Sequence, residues 1–239
     1  MEFDENLAKN LHANIAKMMK IREENLLEFD ENFAKNLIVE HTDFLQFDLE
    51  DFAKNLDGKS YKIVANIPYN ITKPIITKIV ESMNPPVLAA LLVQREVAEK
   101  VAAKAGDFSV LSLRIQNFSD AKTGIKVSRK FFTPEPKVES QMLILRPRKV
   151  SQIREFFDEK NLSEDVKVEV FAKKFWQIVN AGFANKRKKL HTSLNGIFAK
   201  TKDETAEFLR EIGIDSNLRA QDLTFENWLE IAQEFFAKK

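Results

Sequence analysis

Four consecutive residues, Asn66, Ile67, Pro68 and Tyr69, form the motif with the clearest chemistry in this sequence. They end a short apolar run, "KIVAN", and a helical pattern follows them. The asparagine amide donates and accepts hydrogen bonds, the proline restricts the backbone so that neighbouring carbonyls point one way, and the tyrosine offers a flat ring. Such groups can hold a planar amine, for example a nucleobase with an exocyclic amino group. A proline-containing turn between a strand and a helix also explains the bare tetrapeptide.

Other kinds of site find little support. The chain has no cysteine, which excludes disulfides and thiolate sites and favours a reducing, cytoplasmic setting. The three histidines, His12, His41 and His191, lack metal-ligand spacing, so we expect no metal. No lysine-containing phosphate loop occurs, which argues against a nucleotide hydrolase. No apolar run approaches the roughly 20 residues that span a bilayer, so we expect no membrane partner.

The motif lies at the end of a predicted strand. Apolar runs over 37–43 ("LIVEHTD"), 61–67 ("YKIVANI") and 87–94 ("VLAALLVQ") alternate with helical patterns, which is typical of a parallel sheet covered by helices. Open α/β sheets bind ligands beyond the carboxyl ends of their strands. The motif would occupy such an end.

The pattern changes in the second half of the chain. Residues 109–128 predict two strands joined by a polar turn, and 140–148 predict another strand, which together suggest an antiparallel edge. From about residue 149, "EVFAKKFWQIVNAGF", "NKRKKLHTSLNGIF", "DETAEFLREIGI" and "FENWLEIAQEFF" space apolar residues as helices do, and Gly213 is predicted to cap one of them. We therefore predict an α/β domain over 1–148 and an all-helical domain over 149–239.

Charge is unevenly distributed. Residues 1–60 contain 7 basic and 14 acidic side chains, whereas residues 121–200 contain 18 basic and 8 acidic ones. The densest basic cluster is Lys186, Arg187, Lys188 and Lys189. A polyanion would meet this second half, although a basic run can also be a solvated helix face.

Several segments together resemble the ribosomal RNA adenine dimethyltransferase family. They are "IVEHTDFLQFDL", "NIPYNITKPIITKIVE", "LLVQREVAEKV", "FFTPEPKVESQMLILRP", "AGFANKRKKLHTSL" and "LREIGIDSNLRAQDLTFENWLEIA". They occur in family order and cover nearly everything from Leu37 onward. The helical tail is similar to that of the small-subunit enzymes and differs from that of the large-subunit, antibiotic-resistance methylases.

The resemblance implies a Rossmann-like methyltransferase sheet and a role for each motif residue. Asn66 and the carbonyl of Ile67, positioned by Pro68, would hold the N6 amino group of a flipped adenine next to S-adenosylmethionine, which Asn66 would also border. Tyr69 would stack on the adenine, and Phe132 would flank its other side. Positioning two reactants would supply most of the rate, since the sulfonium methyl group is already activated.

The resemblance also implies residues for the cofactor. Asp43 would accept from the amino group of the cofactor's adenine, and Phe44 would pack on that ring. The ribose hydroxyls would bind the acid of a Glu-x-Asp motif.

A duplicated segment offers two such acids. "EFDENLAKNL" at 2–11 returns as "EFDENFAKNL" at 28–37, and more loosely at 47–56, so Glu2 and Glu28 are both candidates. A parallel crossover needs a dozen or more residues, and too few separate Glu28 from the next predicted strand, which favours Glu2.

The expected sheet is truncated at its N-terminus. The family has a first strand and a glycine-rich turn around the methionine part of the cofactor, whereas the first glycine here is Gly58. Two functions follow: a small-subunit ribosomal RNA dimethyltransferase, or a non-catalytic assembly factor or inactive relative that only binds the RNA. In both, we expect a monomer that meets the pre-30S particle through the basic cluster, with an exposed sheet edge.

Overall fold

The computed structural model describes residues 42–160, 162 and 167–237. The chain forms two compact units, Met1–Phe47 and Asp48–Lys239. In the described part of the first unit, residues 42–47, the N–H groups of Gln46 and Phe47 donate to the carbonyl of Asp43, at 2.9 and 3.0 Å. Of the strand predicted over 37–43, residues 37–41 lie outside the described residues, and 42–43 are not in a strand.

The second unit is built on a four-stranded mixed sheet. Its strands are β1 (Lys62–Asn66), β2 (Leu88–Gln94), β3 (Ser119–Val127) and β4 (Ser140–Pro147), in the order β1-β2-β4-β3. β1 and β2 are parallel, whereas β4 is antiparallel to both β2 and β3. The predicted parallel pair and antiparallel edge are therefore confirmed. β2 lies between β1 and β4, and every second side chain of β2 is fully buried: Ala89, Leu91 and Val93.

Nine helices occur in the described residues. They are α1 (Leu49–Lys54), α2 (Thr72–Val80), α3 (Arg95–Val101), α4 (Val110–Phe118), α5 (Gln152–Glu159), α6 (Val168–Phe183), α7 (Leu190–Phe198), α8 (Lys202–Glu211) and α9 (Phe225–Ala237). Single 3₁₀ turns occupy Tyr69–Ile71, Arg129–Phe131 and Ala220–Asp222. None of the described helices combines the length and the apolar character that crossing a membrane requires.

The prediction of two strands over 109–128 is wrong in its first half, which forms α4. Alternating apolar residues there mimic a strand, but Ser109 begins a helix: its hydroxyl accepts from the N–H of Ser112, and the hydroxyl of Ser112 accepts from the N–H of Ser109. Leu113 and Ile115 then become buried on the helix. The capping box and this burial together override the local alternation.

The helical segments after residue 149 share an aromatic core that includes Phe171, Phe175 and Trp228. Helices α6 and α9 approach closely because Gly182 faces the indole ring of Trp228, and a Cβ at this glycine would overlap that ring. Gly213 ends α8 with a φ of 77°. The N–H of the following residue, Ile214, donates to the carbonyl of Leu209 at 2.9 Å, which confirms the predicted glycine cap.

These helices pack against α4 and the loop before it. Leu113 belongs to the same core, and the guanidinium of Arg114 lies 5.3 Å from the centre of the Trp176 ring. Gly106 and Gln221 exchange two hydrogen bonds: the N–H of Gly106 donates to the carbonyl of Gln221 at 2.9 Å, and the Gln221 amide donates back at 2.6 Å. The predicted domain boundary near residue 148 lies inside the second compact unit.

Candidate active site at the carboxyl end of β1 and β2

The strand register brings several chain segments to the end of the sheet at which β1 and β2 have their carboxyl ends. Asn66, the last residue of β1, lies opposite Leu92, close to the end of β2. Gln94 ends β2 opposite Ser140, the first residue of β4, which also lies opposite the end of β3 at Val127. The turn after β1 and the loop 128–139 both leave the sheet at this end. The structure therefore brings the 66–69 motif and the Phe132 loop to the same end of the sheet.

The turn after β1 closes on itself. Ile67 is buried, and its N–H donates to the carbonyl of Leu92 at 3.4 Å. Pro68 has the fixed φ of −60°, and its carbonyl accepts from the N–H of Ile71 and from the hydroxyl of buried Thr72, both at 3.2 Å. The Pro68 carbonyl is thus occupied within the turn.

Two hydrogen-bonding groups at this corner have no described partner. The side chain of Asn66 is exposed, and none of the described residues bonds to its amide. Likewise, no described N–H or O–H group donates to the carbonyl oxygen of Ile67. These are the two groups to which the sequence assigned an amino group, and that role stays a prediction.

Tyr69 is held by the first residue of β4, two strands away from β1 in the sheet. Its hydroxyl lies 2.7 Å from the Oγ of Ser140, which is fully buried at the start of β4. This hydrogen bond leaves the half-buried ring beside the Asn66 corner with its hydroxyl already engaged. A ring held in this way can offer a face for stacking.

Phe132 lies in a loop that is tied to itself. It is half-buried directly after the 3₁₀ turn Arg129–Phe131, and its N–H donates to the carbonyl of Arg129 at 3.1 Å. Glu139 holds the loop twice: its carboxylate accepts from the N–H of Arg129 at 2.9 Å, and its carbonyl accepts from the N–H of Arg95 at 2.9 Å. An ion pair of 2.9 Å joins Arg129 to Glu135.

A shallow cavity of about 320 Å³ opens between this loop and the start of α3. Its lining is mainly acidic, with one pair of opposite charges in which Arg95 contacts Glu99 at 2.8 Å. The full lining comprises Arg95, Glu96, Glu99, Val138 and Glu139. Its three carboxylates make the cavity unfavourable for an anion.

Of the five residues predicted to bind a cofactor, Asn66 ends β1 in the second unit, and the other four belong to the first unit. The carboxylate of Asp43 accepts from the N–H of Leu45 at 2.9 Å through one oxygen, and the Phe44 ring stacks on Phe47 at 6.3 Å between centroids. Glu2 and Glu28 lie outside the described residues. The cofactor roles of these four residues stay predictions.

The basic cluster Lys186, Arg187, Lys188 and Lys189 lies in a turn between α6 and α7 and is exposed throughout. Its predicted place in a helix is wrong, because α7 begins only at Leu190. The N–H of Leu190 donates to the carbonyl of Leu218 at 2.7 Å, which docks the turn on the 215–218 loop. Lys189 contacts Asn217 there at 2.8 Å, whereas its three neighbours extend into solvent.

His191 has a structural role. Its Nδ1 lies 2.8 Å from the carbonyl of Ser216, so it helps to hold the same two loops together. His12 and His41 lie outside the described residues. Among the described residues, no group of three or more histidine, aspartate or glutamate side chains has an arrangement suited to a metal ion.

Sequence reasoning missed three residues that support these sites. Ser140 positions Tyr69, Thr72 occupies the Pro68 carbonyl, and Gln221 joins the helical part to the loop at Gly106. Each lies inside a segment quoted above or directly beside one. The contacts of Ser140 and Gln221 span 71 and 115 positions, so no local pattern identifies them, whereas Thr72 bonds a carbonyl only four positions away.

The chain is similar to known proteins in both sequence and fold. The model of a family described as "Ribosomal RNA adenine dimethylase" matches residues 1–237. The protein named "Ribosomal RNA small subunit methyltransferase A" is similar in three bacteria: Clostridioides difficile (34% identical, covering 80% of this chain and 62% of that protein), Nostoc sp. (35%, 80% and 67%) and Lactobacillus acidophilus (32%, 99% and 74%). The chain therefore spans less than two thirds of the Clostridioides protein.

Two solved structures have the same fold. A dimethyladenosine transferase from Plasmodium falciparum has a TM-score of 0.60 at 21% identity, covering 94% of this chain and 78% of its own. The 23S rRNA methyltransferase ErmE has a TM-score of 0.62 at 22% identity, covering 98% and 80%. The predicted Rossmann-like methyltransferase fold is thereby confirmed. Because the family model matches almost the whole chain, the protein belongs to the ribosomal RNA adenine dimethylase family.

Proposed function

We propose that this protein transfers methyl groups from S-adenosylmethionine to the N6 atoms of adenosines in small-subunit ribosomal RNA. One observation carries the proposal. The Asn66 amide and the Ile67 carbonyl form no hydrogen bond with any described residue, and they lie at the carboxyl end of β1, where α/β folds bind ligands. The ring of Tyr69, whose hydroxyl contacts Ser140, lies beside them. The names of the relatives supply the substrate class.

The protein's own groups would act by holding and orienting the base. The amide oxygen of Asn66 and the carbonyl of Ile67 accept from the two N–H bonds of an adenine amino group, which directs its lone pair away from them. Tyr69 and Phe132 bind the ring by stacking, which compensates for taking the base out of its helix. The proton lost from N6 on methylation would pass to solvent, so no side chain has to act as a strong base, and orientation of the reactants lowers the barrier.

S-adenosylmethionine would supply an activated methyl group on a sulfonium. The acceptor chemistry of Asp43 fits one end of this molecule, since a single carboxylate oxygen is used by Leu45 and the other can accept from an adenine amino group. The Phe44 ring would pack beside that adenine, and Glu2 or Glu28 would bind the ribose. Asn66 would border the reacting end.

Transfer of a labelled methyl group to isolated small-subunit ribosomal RNA, followed by nucleoside analysis for N6-methylated adenosine, tests this function. Asn66→Ala should reduce transfer by at least about tenfold, because it removes one of two acceptors that position the amine. Asn70→Ala is the matched control, since Asn70 is exposed in the same turn and has no proposed role. An equal loss in both variants, or no N6 methylation by the unaltered protein, would refute the proposal.

A second function rests on the basic turn. Lys186, Arg187 and Lys188 are exposed and lie on segments separate from the Asn66 corner, so RNA binding does not require methyl transfer. A protein that binds the RNA without methylating it would be a non-catalytic assembly factor or an inactive relative. Binding with no transfer in the assay above would favour that function.

The setting of the activity is part of the same proposal. We take residues 1–148 as the methyltransferase domain and 149–239 as a helical RNA-binding domain that acts on the precursor of the small ribosomal subunit. The protein would act as a monomer in the cytoplasm and without a metal. Sedimentation of the purified protein tests the monomer, because Val64 on β1 is 78% exposed and, within the described part of the chain, β1 pairs only with β2, and an outer strand of this kind invites association.

A further inference from the structure

Two exposed apolar side chains lie among exposed lysines along β3 and the turn that follows it. Phe131 is 83% exposed and Ile125 is 72% exposed. Three lysines, Lys122, Lys126 and Lys130, are exposed in the same segment. We call these five residues the β3 strip. Isolated apolar residues are ordinary on a protein surface, but this strip begins on an outer strand and ends one residue before Phe132 of the candidate site.

The backbone that carries Phe131 is held on both sides. Its N–H donates to the carbonyl of Ser128 at 3.1 Å, and the N–H of neighbouring Arg129 donates to the Glu139 carboxylate at 2.9 Å. The hydroxyl of Ser128 caps the turn by accepting from the N–H of Lys130. The aromatic ring is therefore exposed on a fixed turn, and ordering it on binding costs little conformational entropy.

The charges around the strip favour an anionic partner. Among the residues that the structure describes, no carboxylate forms an ion pair with Lys122, Lys126 or Lys130. Arg129, in contrast, is paired with Glu135. The cavity at the start of α3 is lined by Glu96, Glu99 and Glu139, so a phosphate chain is repelled there, whereas the lysines of the strip attract it.

Two kinds of partner fit an outer strand with exposed apolar residues: another strand, or a single-stranded nucleic acid. In the described part of the chain, β3 pairs only with β4. Unpaired lysines on an outer strand oppose pairing with another strand. Aromatic faces next to unpaired lysines, however, are the combination that binds single-stranded nucleic acids, through base stacking and phosphate contacts.

We infer that the β3 strip binds the single-stranded RNA next to the target adenosine, with one base stacked on Phe131 and phosphates at Lys126 and Lys130. The inference rests on the proposed function, because it extends the binding site for that substrate. It assigns the strip a share of RNA affinity that is separate from the Lys186–Lys189 turn.

Fluorescence anisotropy with an unstructured, labelled oligoribonucleotide that contains adenosine tests the strip in the full chain without any cofactor. Phe131→Ala should weaken binding about fivefold or more, whereas Phe131→Trp should retain it, because stacking needs a ring and not a specific edge. Lys130→Ala should lower the slope of log affinity against log salt by about 0.7. Met83→Ala is the matched control, since Met83 is 81% exposed and lies after α2, away from the strip.

Unchanged affinity in Phe131→Ala, or an equal loss in Met83→Ala, would overturn the inference. A change in sedimentation of Phe131→Ala and Ile125→Ala with unchanged RNA affinity would also overturn it, because the strip would then bind a second protein chain. The proposed function fails separately. Strip-dependent RNA binding without N6 methylation refutes the function alone, and methylation with strip-independent binding refutes the strip alone.

Discussion

The hydroxyl of Tyr69 lies 2.7 Å from the Oγ of Ser140, and this bond joins the turn after β1 to the first residue of β4. Because β4 also begins at the end of the Phe132 loop, one side-chain contact links the two segments proposed to enclose the base. Ser140 is fully buried, so its hydroxyl has no access to water as a substitute partner.

We expect Tyr69→Phe to keep the aromatic ring and to lose the hydrogen bond to Ser140 that orients it. The unpaired Ser140 hydroxyl should lower the free energy of unfolding by about 1–3 kcal/mol. Methyl transfer should fall severalfold, with a larger effect on kcat than on KM, because the ring still binds the base. Ser140→Ala should act in the same way.

The double variant separates this bond from unrelated damage. Removing both hydroxyls leaves no unpaired buried group, so the double variant should be less destabilised than the sum of the two single variants. Strictly additive losses of stability, measured by urea denaturation, would show that the two hydroxyls act independently.

The exposed turn Lys186–Lys189 should contribute affinity for RNA through phosphate contacts. Charge reversal of Lys186, Arg187 and Lys188 to Glu should weaken RNA binding by about tenfold or more at low salt and reduce the salt dependence of the affinity. Anisotropy at several salt concentrations provides both quantities.

A charge-matched control lies in the same helical part. Reversal of Lys173, Lys200 and Lys202 to Glu changes the net charge equally without touching the turn. Equal losses of affinity in the two triple variants would mean that net charge, and not this turn, attracts RNA.

Glu50 and Glu81 should respond in opposite ways to the same substitution. Hydrogen bonds from Ser82, and further ones from Asn84 and Met83, hold the pKa of Glu50 below its ordinary value. Partial desolvation raises the pKa of Glu81 although the residue is exposed, and the charge of Arg114 only partly offsets this. At neutral pH, Glu50→Gln should lower the melting temperature by a few degrees, whereas Glu81→Gln should raise it slightly.

The pH dependence follows from the two signs. Because folding lowers the pKa of Glu50, its carboxylate stabilises the folded state above about pH 4.5, the pKa of the unfolded chain. This stabilisation is lost as the pH falls through the pKa of the folded state. A raised pKa penalises the ionised form above that range. The melting temperatures of both variants should therefore approach that of the unaltered protein in acid. The fluorescence of Trp176 and Trp228 reports the melting. A Glu50→Gln deficit that persists unchanged in acid would contradict this origin.

We expect any side chain at position 182 to destabilise the packing of α6 against α9. Gly182→Ala places a methyl group against the Trp228 ring and should destabilise the second unit by about 1–3 kcal/mol through overpacking. Gly196→Ala in α7 is the control, because nothing lies within 4 Å of a Cβ there, and it should be neutral or stabilise by about 0.5–1 kcal/mol. Equal melting temperatures for the two variants would disprove the close approach.

Much of the fold could be predicted because it follows from local patterns. The apolar runs ending at Asn66 and Gln94 predicted the parallel pair, and Gly213 predicted a helix end that only a positive φ satisfies. Residues 109–118 were predicted wrongly, since their alternation suits a strand, whereas the capping box of Ser109 and Ser112 and the burial of Leu113 and Ile115 make them α4.

The sequence by itself determined the family, through the order and spacing of its motifs, and the chemical types at the Asn66 corner. Only the tertiary structure decided which partners hold those groups. Ser140 meets Tyr69 across 71 positions, and Gln221 meets Gly106 across 115. Such contacts depend on strand register and helix packing, which arise from the burial of many residues together and leave no periodic mark on the chain.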